Sequence, residues 1–467
     1  MSTNYQDFLK TKFKSAKSSG FTVNVDSLNK NLFNWQKDIV RWSLIKGKSA
    51  LFEDTGLGKS IQQLAWSDEV VKHTRGEVII YAPLSVAYQT KREGEKFGIK
   101  SNVIRQQNEI KPGINIANYD ILDHFDPSSF QGVVLDESSI LKNFSSKTKQ
   151  FIIDNYKNVP YRLACTATPA PNDYMELGNH AEFLGVMTRS EMLSTFFVHD
   201  GSDTAKWRLK GHAESMFWEW IASWACVIKT PADLGYPADG YILPELKITQ
   251  HIVESKIFSD STGQNLMFAN VAQTLNERRF ARRESLAERV KKAAEIANSS
   301  DEQVLIWCDL NSESEALTKC INGVVEVKGA DTTEHKTQSI LDFISGIIKA
   351  IVSKSSIYGF GINLQNCHRV IFVGLSDSFE EYYQAIRRCW RFGQKLPVEV
   401  HIITSEAEGS VKQNIERKQK EAERMTMEMV KHTKEILKAE IHHTIRISEN
   451  YIATEEMIIP AWLKEAA

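Results

Sequence analysis

The run Glu53-Asp54-Thr55-Gly56-Leu57-Gly58-Lys59-Ser60 restricts this chain more than any other stretch. An apolar segment, Ala50-Leu51-Phe52, leads into it, and Ile61-Gln62-Gln63-Leu64-Ala65-Trp66 follows with helix-compatible composition, so it reads as a strand, a glycine turn and a helix start. Such a turn suits phosphate. Glycines let backbone N–H groups close around the oxygens, the helix N-terminus adds partial positive charge, and the lysine and hydroxyl reach the β/γ-phosphates and Mg²⁺. The competing reading is a lysine-bearing surface turn, because Glu53 stands at the first glycine position of the full G-x-x-x-x-G-K-[ST] pattern.

The neighbouring segments supply the rest of an α/β arrangement. Leu32, Trp35, Ile39 and Trp42 recur at helical spacing and place Gln36 beside an apolar stripe, about twenty residues before the loop; its amide offers the donor and acceptor that an adenine edge needs. Residues 78–82 and 114–119 read as buried strands. Val133-Val134-Leu135 runs directly into Asp136-Glu137-Ser138-Ser139, which sets two carboxylates at the carboxyl end of a strand, the edge where open α/β sheets hold ligands. There Asp136 can hold Mg²⁺ through water and Glu137 can orient or deprotonate an attacking water; two solvated acids in a loop are the alternative. Arg162 to Cys165 leads into Thr166-Ala167-Thr168-Pro169 in the same manner.

Residues 186–230 are rich in aromatics and interleaved with basic side chains. Phe217, Trp220, Ile221, Trp224 and Ile228 fall on one helical face and are expected in the core, whereas Trp218 and residues 206–212 lie off that face, where they can touch nucleic acid. Residues 235–244, with two glycines and two prolines, read as a linker. Beyond it, Arg278, Arg279, Arg282, Arg283, Arg289, Lys291 and Lys292 cluster in a helical pattern, either as a phosphate-tracking face or as a salt-laced solvent helix. Strand-like runs at 247–253, 304–307, 324–327, 350–352, 370–373 and 398–403 alternate with helical patterns, the mark of a second, mostly parallel sheet. In a helix, Gln384, Arg388 and Arg391 share one face, and arginine suits a phosphoryl transition state because its planar fork stays charged and bonds oxygens bidentately. Residues 411–440 read as a charged helix with a stripe through Ile415, Ala422, Met425, Met429, Thr433 and Ile436 that braces the core.

Length and charge bound the function. At 467 residues the chain exceeds one core; 57 basic against 59 acidic residues give a net charge of −2, so a nucleic-acid surface is a local patch rather than a global field. The six cysteines form no C-x-x-C pair, and neither an apolar leader nor an 18-residue apolar run is present, so a soluble, cytoplasmic, uncleaved protein with reduced thiols and no membrane contact is expected. Expected divisions are a lead-in helix or arm over 1–30, a first lobe over 31–240 with an aromatic insertion at 186–230, a second lobe over 241–410, and a helical tail over 411–467.

In order, Gln36, Thr55 to Ser60, Ala82-Pro83-Leu84, Asp136 to Ser139, Thr166 to Pro169, Gly359-Phe360-Gly361-Ile362-Asn363-Leu364 and Gln384 to Gln394 resemble the motif series of superfamily-two helicases, most closely their Swi/Snf-type branch of double-stranded DNA translocases. The chain departs from that branch at Ser139 and Trp390, where histidines are usual. The resemblance implies two RecA-like lobes with ATP in the cleft between them. Gln36 would recognise adenine; Thr55, Gly56, Leu57, Gly58, Lys59 and Ser60 would cradle phosphate; Ser60 and Asp136 would hold Mg²⁺. Glu137 would serve the water, Gly361 would line the nucleotide site, Gln384 would lie near the γ-phosphate, and Arg388 and Arg391 would be arginine fingers. It further implies a monomeric motor on DNA, expected to be double-stranded, with RNA as a second track; a strand-separating helicase and an ATP-gated DNA clamp are the alternatives.

Overall fold

A computed structural model describes residues 16–142, 146–170, 173–200, 203–254, 282–358, 363–375, 378–405 and 409–446. Its first sheet is built from β1 (Lys48–Glu53), β2 (Glu77–Ala82), β3 (Ser101–Val103), β4 (Ile114–Asn118), β5 (Phe130–Asp136) and β6 (Tyr161–Thr166). A hairpin follows, β7 (Phe197–Asp200) and β8 (Asp203–Leu209), and then β9 (Ala225–Ile228). The spatial order is β3-β4-β2-β5-β6-β1-β9, with every pairing parallel.

The second sheet contains β10 (Leu246–Val253), β11 (Val304–Cys308), β12 (Val324–Val327), β13 (Ala350–Lys354), β14 (Arg369–Val373) and β15 (Val398–Ser405), ordered β10-β15-β14-β11-β13-β12 and again all parallel. These are two RecA-like lobes. Their central strands are continuous apolar runs because helices cover both faces. Along β1, Ala50 and Phe52 enter one core and Leu51 the opposite one; along β11, Leu305 and Trp307 alternate with Val304 and Ile306.

Three expectations need correction. The helix carrying Phe217 and Trp220 spans Glu214–Ala222, and Ile228 belongs to β9, which pairs with β1 as the outer strand of the first sheet. Trp218 is buried and stacks on His432 with ring centroids 5.3 Å apart, so it offers no face to nucleic acid. The basic cluster also turns inward: Arg289 and Glu313 form a fully buried ion pair at 2.6 Å, and Arg282 pairs with Asp309. Arg283 and Lys291 stay exposed, while Arg278 and Arg279 lie outside the described residues. Residues 16–30 contain a 3₁₀ turn, Val25–Ser27, and no α-helix.

The buried pair gives a stability prediction. Arg289 also donates from Nε to Ser285 Oγ at 3.0 Å, so Arg289→Ala removes the cation from a buried Glu313 carboxylate whose Oε2 accepts from the N–H groups of Asp309 and Leu310 at 2.8 and 2.9 Å. Loss of one partner of a buried pair costs about 3–5 kcal/mol, whereas Arg289→Met with Glu313→Gln, which removes both charges and keeps an acceptor for those N–H groups, costs less. Urea unfolding of the two variants checks this; equal losses would refute it.

The long C-terminal helix, Gly409–Arg446, starts after β15 and packs back on the first lobe. Ala422 touches the core of the second sheet, Met425 and Met429 enter a core of the first, and Leu437 and Ile441 enter its other core. Glu440 is tied at 2.9 Å to both Trp42 Nε1 and Lys46 Nζ.

Candidate nucleotide site between the two sheets

β1 ends at Glu53, and the chain turns through Gly56 (φ +89°) and Gly58 (φ +79°) before the helix Lys59–Thr74 begins. Both glycines need left-handed backbone, and both are crowded. A Cβ on Gly58 would lie 2.5 Å from Gln36 Nε2, and one on Gly56 would lie 3.1 Å from the backbone nitrogen of Phe392 in the second lobe. Lys59 Nζ donates to the carbonyls of Glu53 (2.8 Å) and Asp54 (3.1 Å), which folds its ammonium over the loop.

Gln36 sits in the first turn of the helix Asn34–Lys46. Its Oε1 accepts from Phe33 N–H at 3.0 Å, and its Nε2 donates to Leu57 O at 2.8 Å. That uses one acceptor position and one donor, and an amide has two of each. Glu53, where the full pattern has glycine, is completely buried and accepts from Gln62 Nε2 at 2.8 Å; burial pushes its carboxyl up to about 7 against the opposing charge of Lys59.

The two carboxylates after β5 are held differently. Asp136 Oδ1 accepts from Gln63 Nε2 at 2.8 Å, while Tyr119 donates to the Asp136 carbonyl at 2.7 Å. Burial raises the Asp136 carboxyl, with the Gln63 hydrogen bond and Lys59 opposing. Glu137 adopts φ +55°, a left-handed conformation costly for a residue with a Cβ, of order 1–3 kcal/mol. That turn carries Glu137 toward the second lobe, where Gln384 Nε2 lies 3.5 Å from its Oε2. Burial and then the charge of Asp136 push the Glu137 carboxyl up to about 7, while Lys59 and Arg388 pull it down.

The second lobe enters through the helix Phe379–Ile386. This helix ends before the arginines, so Gln384, Arg388 and Arg391 do not share a helical face as expected; Arg388 and Arg391 lie in the turn beyond it. Arg388 is buried and donates from Nε to Gln384 O at 3.0 Å, and burial pushes Arg391 down to about 10, with the Arg388 charge adding to the effect. Glu380 ties the lobes further, pairing with Lys142 and lying 3.5 Å from Thr168 Oγ1. The structure therefore brings Gln36, the glycine loop, Lys59, Asp136, Glu137, Gln384 and Arg388 to one cleft. Gly361 lies outside the described residues.

Several residues here escaped sequence reasoning. Gln63 had a usable signal, since it follows Lys59 by one helical turn and shares its face. Tyr119 and Glu380 had none, because only the tertiary fold brings them to the cleft.

Two parallel-sheet lobes meet at this cleft, one bringing a glycine loop with its lysine and the other an arginine-bearing turn. Residues 285–393 match the helicase conserved C-terminal domain. Xenopus tropicalis SWI/SNF-related matrix-associated actin-dependent regulator of chromatin subfamily A-like protein 1 is 27% identical over 167 residues, 33% of this chain and 17% of that protein. The ATP-dependent RNA helicase FAL1 of Kluyveromyces lactis is 30% identical over 115 residues, 24% of this chain and 28% of that protein. The matched segments thus span under a third of the length of these curated relatives. The Sulfolobus solfataricus SWI2/SNF2 ATPase core in complex with dsDNA aligns with 92% of this chain and 100% of its own, at TM-score 0.42 and 19% identity. Over the matched segments the chain is thus similar to helicase-type proteins, a SWI/SNF-related one among them.

Proposed function

We propose that this protein is a nucleic-acid-stimulated ATPase that translocates on double-stranded DNA. The observation that carries the reading is the meeting of the two lobes at Glu137: Gln384 approaches its carboxylate, and Arg388 is close enough to lower its proton affinity. A site assembled from both lobes makes hydrolysis depend on lobe closure, and closure is what couples ATP to movement. In this reading residues 31–240 and 241–410 are the two lobes, with residues 411–467 as the tail.

The backbone of Thr55, Gly56, Leu57 and Gly58 cradles the phosphates with Lys59, and the remaining donor and acceptor of Gln36 face adenine. Ser60 and Asp136 fit Mg²⁺, which takes one or two carboxylates together with substrate phosphate and water rather than a protein cage; no cluster of three acidic, histidine or cysteine ligands occurs among the described residues. When bound, that ion neutralises charge on the β- and γ-phosphates. Glu137 orients the attacking water, and Gln384, Arg388 and Arg391 stabilise the transferring phosphoryl group. Among the described residues no helix is long and apolar enough to cross a membrane.

Steady-state ATPase rates with no nucleic acid, duplex DNA, single-stranded DNA and RNA test this, with Lys59→Ala beside each. Duplex is expected to stimulate most, and Lys59→Ala to weaken nucleotide binding and abolish the response. Preference for single strands or RNA would favour the strand-separating alternative and the likeness to the Kluyveromyces ATP-dependent RNA helicase. Triplex displacement then reads movement; full ATPase activity without displacement would refute translocation.

A further inference from the structure

Asp54 reaches in two directions from the glycine loop. Its backbone carbonyl accepts from Lys59 Nζ at 3.1 Å, while its carboxylate crosses to the second lobe, with Oδ2 3.0 Å from Arg387 Nη2 and Oδ1 accepting from the Tyr383 hydroxyl at 2.8 Å. Arg387 directly precedes Arg388 and stands four residues before Arg391. Its guanidinium is sandwiched, lying 5.0 Å from the ring centroid of Tyr383 and 4.5 Å from that of Trp390, and Trp390 is itself anchored through Nε1 to Pro244 O at 2.7 Å.

Both charged side chains are about nine-tenths buried, with 12% and 9% exposure, and they border a cavity of about 180 Å³ whose walls include Ile228, Ile248 and Met429. Burial alone would raise the Asp54 carboxyl, yet Arg387, Tyr383 and the Thr55 N–H hold it below the usual carboxylate range. The contact is therefore a charged one in apolar surroundings, where geometry is held tightly. An arginine fits because it bonds and stacks at once; a lysine would keep the charge and lose the stack.

We propose that Asp54 and Arg387 form a positioning pair that sets the distance between the phosphate loop and the turn carrying Arg388 and Arg391. The proposal rests on the ATPase reading above. One residue, Asp54, holds the loop lysine with its carbonyl and the finger turn with its carboxylate, so the two halves of the site are aligned through a single side chain. Arg387 does not touch substrate in this scheme; it acts through its neighbours.

The test uses the full chain with saturating duplex DNA, single-turnover hydrolysis, and ATP affinity from a fluorescent analogue. Arg387→Ala should slow hydrolysis between about tenfold and about a hundredfold while ATP affinity changes by less than about twofold, because misplacement by an ångström is enough for such losses. Arg387→Lys should recover part of the rate. Tyr383→Phe, which removes one hydroxyl and keeps the packing, should show a smaller loss of the same kind. In an Arg391→Ala background Arg387→Ala should add little, since residues acting through one another are not additive. Unchanged hydrolysis, loss of ATP affinity in step with rate, or full multiplication of the two losses would each overturn the proposal. Absence of turnover in the unaltered chain would instead overturn the ATPase reading, so the two failures are distinguishable.

Discussion

Glu137→Gln is expected to lower ATP turnover by about 10²–10⁴-fold, the usual contribution of a positioned general base, with nucleotide binding retained. Glutamine has the same shape, so the left-handed turn at φ +55° and the approach to Gln384 persist while the proton acceptor is lost. The unaltered carboxyl is held under strain of a second sort. Burial and the neighbouring Asp136 both disfavour its charge, and Lys59 and Arg388 compensate only in part. Neutralising it relieves that repulsion, so the variant should unfold no earlier than the parent. Single-turnover hydrolysis beside equilibrium binding separates the effects. Turnover within about threefold of the parent would remove Glu137 from the water-activating role.

Arg391→Ala is expected to reduce nucleic-acid-stimulated hydrolysis by about 10³-fold or more, because an arginine finger contributes about 10³–10⁵ in rate. Three guanidinium groups, those of Arg387, Arg388 and Arg391, crowd this turn. Burial and the charge of Arg388 push Arg391 down to about 10, an arrangement that disfavours the positive charge until a negative group enters. A triphosphate supplies that group. Removal of Arg391 should therefore leave nucleotide affinity nearly intact and abolish the gain from duplex DNA. Stimulated turnover that survives the substitution would refute the finger assignment.

Much of the architecture is legible in the amino-acid sequence alone. Apolar runs such as residues 78–82, 133–135 and 304–307 announced strands buried on both faces, and the intervening helical periods required parallel connections. The glycine loop was readable because left-handed backbone at Gly56 and Gly58 leaves few alternatives. Where the reading failed, it extended a local period beyond its physical support. The pattern from Phe217 to Ile228 continued at helical spacing, yet hydrogen bonding to β1 drew Ala225–Ile228 into the sheet. The arginines at 282 and 289 matched a surface stripe, but acids at 309 and 313, distant in sequence, pulled them inward. The helix bearing Gln384 stopped at Ile386, and the arginines beyond it were set by the turn that meets the first lobe.

The cleft divides along the same line. Local chemistry singles out Lys59, Ser60, Asp136, Glu137, Arg388 and Arg391 as candidates, because each sits in a short motif and the motifs follow one another in order. Partners across the lobes carry no such mark. Nothing in the neighbourhood of Asp54 points to Arg387, 333 positions away, and nothing near Glu380 points to Lys142 and Thr168. The sequence by itself determined the two parallel-sheet lobes and the glycine turn between β1 and its helix, since strand periodicity and glycine backbone freedom are local properties. Only the tertiary structure decided which charges face each other across the cleft and which arginines are interior, because burial and pairing depend on surfaces that meet only after the chain has folded.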